Sequence, residues 1–142
     1  MKNDRVSTAA CVALIVSALA CSAAHAHHGY SLYDRCTSVS LEGDIASIEW
    51  ANPHIVLGLK TSSADYRVEW FTLDQLARAG LTKDALKQGD HVVITGKVMR
   101  DPAQKVMSLV TEIRRPSDGF IWTQPPRPVP AQCARQDEPA GQ

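Results

Sequence analysis

Apolar and polar residues alternate over long stretches from residue 39 onwards, which is the pattern of strands that bury one face. In the first stretch, Val39 and Leu41 share one parity, whereas Ile48 and Trp50 share the other. A change of parity within one strand is what a bulge produces, and Gly43 lies between the two halves. The sequence therefore predicts a long first strand with a glycine bulge near its middle.

Four further strands are predicted by the same alternation. They cover residues 55–59, 66–71, 91–99 and 106–113. A short helix of about two turns fits between the third and fourth strands, because Thr72 and Gln75 have the spacing of a capping box. Gly80 provides a left-handed stop for this helix.

Three strands, a short helix and two more strands is the order of elements in a five-stranded OB barrel. We therefore predict an all-β fold with one short helix, a small OB-like barrel of order β-β-β-α-β-β. An SH3-like barrel or an open β-roll would use similar pieces and remains an alternative. The barrel is assigned to residues 38–115, after an extended arm rich in histidine and tyrosine over residues 27–37.

Residues 116–142 are rich in proline and form a predicted irregular tail. Its apolar anchor is Phe120-Ile121-Trp122, and Cys133 is its second point of attachment.

The first 26 residues have the three parts of a cleavable secretory signal. Lys2 and Arg5 give a positive start, residues 9–20 are small and apolar, and Ala24-His25-Ala26 fits the rule for signal peptidase. Cleavage after Ala26 makes His27 the first residue of a mature chain that is periplasmic or secreted. Cleavage after Ala24 and lipidation at Cys21 are the alternatives.

The apolar run of the signal is 12 residues long, which is too short to cross a bilayer. No second long apolar stretch follows, so we predict no transmembrane segment in the mature chain. Its length is 116 residues (142 minus 26), enough for one domain, and we expect a monomer. With a net charge of about −1 and no basic cluster, it lacks the features of a nucleic-acid binder.

Cleavage removes Cys11 and Cys21 and leaves Cys36 and Cys133 in a compartment where disulfides persist. The sequence therefore predicts an intramolecular disulfide, with two free thiols as the alternative. A bridge that closes a loop of roughly 100 residues stabilises a small domain by about 4 to 5 kcal/mol in the chain-entropy model.

Several short blocks of the sequence resemble one protein family. They are Ala26-His27-His28, Glu42-Gly43 with Ile45, Trp50-Ala51-Asn52-Pro53-His54, Glu69 with Trp70, and Leu86-Lys87-Gln88-Gly89-Asp90 leading to Gly96. In these blocks the chain resembles DUF6152, small exported bacterial proteins of uncharacterised function, over about residues 26–114. The Trp-x-Asn-Pro-His block is the most specific. The chain departs from the family in having Gly29 where serine commonly follows the paired histidines, and in its long tail.

The mature N-terminus is the strongest candidate for a metal-binding site. The α-amine and imidazole of His27 can chelate one metal ion, and a nitrogen of His28 or His54 can complete the site. Amine and imidazole nitrogens suit Cu(II) in a square-planar site, so copper is the cofactor this ligand set favours. Cleavage after Ala24 would also leave a copper-competent terminus. The alternative is a solvated polar arm, with His54 capping a turn.

Other side chains offer weaker candidates. Trp50 and Trp70 are a candidate stacking platform for a ligand, although their alternation with apolar neighbours favours the core. Scattered strand carboxylates indicate a solvated face; they are Glu42, Asp44, Glu49 and Glu69. His91 is expected to be a surface strand residue outside any site.

No nucleophile elbow, HExxH motif, phosphate loop or dinucleotide glycine motif is present, so we assign no catalytic residue and expect a protein that is not an enzyme. The leading hypothesis is a periplasmic OB-like binding module that takes up copper. The alternative is a metal-free module that docks another envelope protein through the barrel face and the proline-rich tail. A pocket for a small organic ligand, lined by Trp50 and Trp70, is a third hypothesis.

Overall fold

The computed structural model describes residues 29–124, 128 and 130–134. The predicted signal peptide, His27, His28 and the last eight residues of the tail lie outside these described residues. Within them, no helix is long and apolar enough to cross a membrane.

The chain forms one six-stranded sheet that closes on itself. The strands are β1 (Val39–Glu49), β2 (Val56–Thr61), β3 (Asp65–Glu69), β4 (His91–Val98), β5 (Val106–Arg115) and β6 (Phe120–Thr123). Their order is β3-β2-β1-β4-β5-β6, and β3 also pairs in parallel with β5. This last pairing closes β1 to β5 into a barrel, so the predicted five-stranded OB-like barrel is confirmed.

The first strand is long, as predicted, but its bulge is not at Gly43. The register against β2 shifts between Ile45 and Ser47, which makes Ala46 the extra residue. Gly43 has a different role, because a Cβ there would overlap the backbone carbonyl of Lys60. The glycine therefore lets β1 and β2 approach closely, whereas the bulge three residues later changes the parity.

The core lies inside the barrel, where the inward faces of the strands meet. Its buried residues are Ile45, Ile55, Leu57, Leu59, Val68, Trp70, Leu76, Leu86, Val92, Ile94, Met107, Val110, Ile113 and Trp122. Leu57 and Val68 face each other across β2 and β3, and neither exposes any of its surface. Burial of such a side chain contributes about 2 kcal/mol, so these alternating positions supply most of the driving force for folding.

The predicted helix is confirmed as α1 (Leu73–Arg78), between β3 and β4. The Thr72 hydroxyl accepts from the backbone N–H of Gln75, and the Gln75 side chain accepts from the backbone N–H of Thr72. Leu76 is buried and ties the helix to the core. Gly80 has a φ of 74°, the left-handed conformation that ends the helix.

The segment after the barrel is more ordered than the sequence predicts. Residues 120–123, expected to be an irregular apolar anchor, form β6, which pairs with Glu112 to Arg115 of β5. Trp122 is buried against the core, whereas the neighbouring Ile121 is 62% exposed. Four residues are too few for alternation to be distinguished from a random apolar cluster, and the decisive contact is with distant β5.

Residues before β1 are attached to the barrel by backbone pairing. A 3-10 turn (Tyr30–Leu32) precedes Tyr33, which forms an antiparallel bridge with Met99. The backbone N–H of Asp34 donates to the carbonyl of Val98 at 3.0 Å. The described part of the arm therefore runs along the end of β4.

The predicted disulfide between Cys36 and Cys133 is present, with 5.2 Å between the two Cα atoms. Cys133 lies in a four-residue helix, α2 (Ala131–Ala134), and is buried. The bridge joins the arm to the C-terminal segment across 97 residues of sequence.

Candidate functional site

Of the three predicted metal ligands, His54 alone belongs to the described residues. His54 lies in the exposed loop between β1 and β2, and His27 and His28 are outside the described part of the chain. Among the described residues, no group of three or more histidine, cysteine, aspartate or glutamate side chains is placed to hold a metal ion. Copper binding at the N-terminus therefore stays a prediction.

The two tryptophans of the candidate stacking platform lie in different environments. Trp70 is 4% exposed and packs edge-on against Trp122, with 5.2 Å between ring centroids. Trp50 is half-buried against the core. The burial of Trp70 supports the core role that its alternation favours and not a role as a surface platform.

A groove of about 540 Å³ crosses the outer surface of β1, β2 and β3, and we call it the face groove. Its lining residues are Ser47, Ile48, Glu49, Val56, Leu57, Gly58, Asp65, Tyr66, Arg67 and Lys105. Nine of them lie on the three strands, and Lys105 lies in the loop between β4 and β5. In OB barrels, oligonucleotides and oligosaccharides bind on the face of strands 2 and 3. The β1–β2 and β4–β5 loops flank this surface.

Gly58 of β2 lies in the floor of the face groove. Gly58 pairs with Ser47 of β1 and Arg67 of β3. A Cβ on this glycine would lie 2.5 Å from the Ser47 Oγ, so the Ser47 side chain covers the glycine. The floor at this point therefore presents the exposed Ser47 hydroxyl, which can donate and accept hydrogen bonds, to an occupant.

The walls of the face groove carry charges of both signs. Glu49 and Asp65 provide carboxylates, and Arg67 and Lys105 provide cations. The Nε of Arg67 lies 3.3 Å from the Oε1 of Glu69, and the Nζ of Lys105 lies 5.8 Å from the centroid of the Tyr66 ring. The groove therefore matches an occupant that itself carries both charges.

Backbone hydrogen bonds hold the two flanking loops against the groove. The backbone N–H of Arg67 donates to the carbonyl of Lys105 at 2.8 Å, which fixes the β4–β5 loop beside β3. The N–H of Ile55 donates to the carbonyl of Phe71 at 2.9 Å, which fixes the end of the β1–β2 loop. The site is thus built on a rigid frame.

A chain of side-chain contacts links the N-terminal arm to the edge of the groove. The Tyr33 hydroxyl donates to Oε2 of Glu69 at 3.3 Å, and Oε1 of Glu69 accepts from Arg67. Burial and the neighbouring charge of Glu69 raise the pKa of Tyr33 to about 12, so the phenol remains a donor at neutral pH. Glu69 thereby holds Arg67 at the groove wall.

A model of one protein family matches residues 14–108, more than half of the 142-residue chain. The chain belongs to the DUF6152 family. This is a family of unknown function, and the match confirms the resemblance predicted from the sequence, although it begins before residue 26 and ends before residue 114. No curated protein matches the chain.

In this DUF6152 protein, the block from Trp50 to His54, on which the resemblance rests most strongly, lies in the β1–β2 loop beside the face groove. Asn52, Pro53 and His54 are exposed there. The Asn-Pro-His part of the block therefore lies outside the core, in the loop that follows groove residue Glu49, whereas Trp50 packs against the core.

Sequence reasoning missed a second cluster, in which His91 lies between Glu42 and Asp44. The sequence alone predicts the two carboxylates on a solvated face and His91 on a strand surface outside any site. Asp44 is directly opposite His91 in the pairing of β1 with β4, so only the register of two strands 47 residues apart brings them together. The three line a separate groove of about 460 Å³ with Lys60.

Proposed function

We propose that this DUF6152 protein is an exported binding module of the periplasm whose face groove holds an extended segment of another envelope protein. The observation that carries the proposal is the groove over Gly58, on the surface that OB barrels use for binding. The occupant is a polypeptide, because its side chains can carry charges of both signs that complement the walls of the groove.

The charges of the groove argue against a nucleic acid as occupant. A phosphate backbone gains affinity from clustered lysine and arginine, but here Glu49 and Asp65 balance Arg67 and Lys105. A partner segment with only basic or only acidic side chains would likewise leave either the two cations or the two carboxylates of the groove without an opposite charge. A segment that carries both positive and negative side chains can pair with groups of either sign.

The proposed location and the absence of catalysis are supported by the sequence. The leader over residues 1–26 has the form of a signal peptide, and the Cys36–Cys133 bridge suits an oxidising compartment. No catalytic motif is present in the chain, so a binding role fits better than an enzymatic one.

Site-specific photo-cross-linking in the cell that makes the protein tests this proposal. A photoreactive residue at exposed Glu49 should cross-link one defined envelope protein, identified by mass spectrometry. The same residue at exposed Ser117, in the β5–β6 turn, serves as the control and should give no such product.

A charge reversal then tests whether the groove is the site. Lys105→Glu should reduce the Glu49 cross-link several-fold, whereas Lys87→Glu, on an exposed loop outside the groove, should not. A product that forms equally from Ser117, or that survives Lys105→Glu unchanged, would rule out the groove as a docking site.

Copper binding by the mature N-terminus is a second proposal, and its support lies in the sequence. Both signal-peptidase cuts leave a terminus with an α-amine and nearby imidazoles, a ligand set that suits Cu(II). His54 offers an exposed third nitrogen in the β1–β2 loop.

Native mass spectrometry of the periplasmic protein, purified without chelator, tests copper binding. We expect a chain that begins at His27, is two hydrogens light for the disulfide and retains one copper ion. His54→Ala should weaken retention, and His91→Ala, which removes a histidine outside the proposed ligand set, should not. A correct mature mass without copper at micromolar Cu(II) would end this proposal and leave the docking proposal intact.

A further inference from the structure

The imidazole of His91 lies between two carboxylates of the neighbouring strand. Its Nδ1 is 2.7 Å from Oδ1 of Asp44, and its Nε2 is 3.1 Å from Oε1 of Glu42. His91 begins β4, and the two acidic residues point to the same side of β1, two positions apart. Both ring nitrogens therefore face a hydrogen-bond acceptor.

An ionised carboxylate accepts hydrogen bonds and donates none, so each of these two contacts needs an N–H on the ring. Neutral imidazole has a single N–H, and only the imidazolium has two. The observed arrangement thus corresponds to a protonated His91. Loss of one proton places a nitrogen lone pair opposite a carboxylate, and one contact must break.

Charged groups that contact the ring, line its groove or lie on the neighbouring chain and strand positions come from four elements. On β1 they are Glu42 and Asp44, and on β2 it is Lys60, which is opposite Asp44. On β5, Arg114 lies across from Val93 and is paired with Glu112 at 3.0 Å. In the loop before β4, Asp90 accepts from Arg115.

The formal charges within this second groove cancel when His91 is protonated. The two carboxylates carry two negative charges, and Lys60 and the imidazolium carry two positive charges. Deprotonation of His91 leaves one negative charge unbalanced. The cluster lies on the outer surface, where side-chain exposure of 51% to 67% leaves it open to protons from solvent.

We propose that His91 is a proton-controlled latch that joins β1 to β4 in the protonated state and releases one carboxylate when it loses its proton. The latch makes the charge of this outer surface respond to the acidity of the medium. It is independent of the face groove and of the identity of any partner.

The electrostatics agree with this geometry. Hydrogen bonds to Glu42 and Asp44 raise the pKa of His91 above its ordinary value. Because the pKa is higher in the folded chain, the latch contributes its full stability below the ordinary pKa of about 6.5, and this contribution is lost as the pH rises through the folded pKa.

NMR titration of the full mature protein tests the latch. We expect the two ring nitrogens of His91 to report a protonated ring beyond pH 6.5. The carboxyl carbons of Glu42 and Asp44 should each show an inflection at the same pH, because both groups sense the loss of the ring proton.

Substitutions distinguish the latch from a solvated histidine. Glu42→Gln and Asp44→Asn should each lower the pKa of His91, and the double variant should bring it to about 6.5. Glu49→Gln, which removes a carboxylate from the same strand but not from this cluster, should leave it unchanged.

Two results would overturn the proposal. One is a His91 pKa that is the same in the wild type and in the double variant. The other is a carboxyl carbon of Glu42 or Asp44 that shows no inflection with His91, because the latch requires both contacts. The variants alter exposed side chains only, so the fold remains intact for the measurement.

Discussion

The hydroxyl of Tyr33 lies 3.3 Å from Oε2 of Glu69, and this hydrogen bond fastens the N-terminal arm to the edge of the face groove. Tyr33 is 3% exposed, so the phenol is shielded from water while Glu69 retains its contact with Arg67. The arm is thus attached by a side-chain contact as well as by the disulfide at Cys36.

Tyr33→Phe removes this hydrogen bond and keeps the ring. We expect a loss of about 1 kcal/mol in the free energy of unfolding at pH 7. Urea denaturation of the wild type and the variant measures the difference.

The difference in the free energy of unfolding between the wild type and Tyr33→Phe, which we call the advantage of Tyr33, should also depend on pH. The folded pKa of about 12 exceeds the unfolded value of about 10, so the advantage is complete below pH 10 and declines as the pH rises towards 12. An advantage that stays constant up to pH 12 would contradict the assignment of the buried hydroxyl as donor.

Arg115 organises the turn between β5 and β6. Its side chain is 13% exposed and donates to Asp118, to Asp90 and, at 2.9 Å, to the carbonyl of Ala85. Hydrogen bonding to Asp118 raises the pKa of Arg115 further above its ordinary value, and the same contact lowers the pKa of Asp118.

Arg115→Ala should therefore lower the free energy of unfolding by about 2 kcal/mol, because Asp90 loses its cation in a partly buried position. The matched control is Arg114→Ala. Arg114 pairs with Glu112 in an exposed position, and its loss should cost less than about 1 kcal/mol. Equal effects of the two substitutions in thermal or urea unfolding would contradict the structural role of Arg115.

The Cys36–Cys133 bridge should contribute substantially to stability, because it restricts the unfolded chain over a separation of 97 residues. The Cys36→Ala/Cys133→Ala double variant should lose about 4 kcal/mol. Reductant should destabilise the wild type by a similar amount and leave the double variant unaffected. A wild type that is insensitive to reductant would show that the bridge adds nothing to the stability of the barrel.

Two glycines of the β1–β2 pair should respond differently to alanine. At Gly43 the new Cβ meets the rigid backbone of Lys60, so Gly43→Ala should cost about 2 kcal/mol or more. At Gly58 the new Cβ meets the Ser47 hydroxyl, which can rotate away, so Gly58→Ala should cost less than about 1 kcal/mol. Urea midpoints for both variants measure this order, and a reversed order would refute the close approach at Gly43.

Local sequence patterns were sufficient to specify the elements of this protein and their order. Alternation marks the five barrel strands because each buries one face, and the capping box at Thr72 and Gln75 marks α1 because its hydrogen bonds are local. The Cys36–Cys133 pairing followed from the cysteine count that remains after the predicted cleavage. The blocks that resemble DUF6152 were also sufficient to identify the family.

Which distant residues meet is set by long-range strand pairing. The bulge at Ala46, the addition of β6 and the parallel pairing of β3 with β5 depend on register between strands, which no local pattern encodes. The same register places Ser47 over Gly58 in the floor of the face groove and His91 between Glu42 and Asp44. The strand pattern specifies which face of each strand is buried, whereas the closure of the barrel specifies which exposed side chains become neighbours.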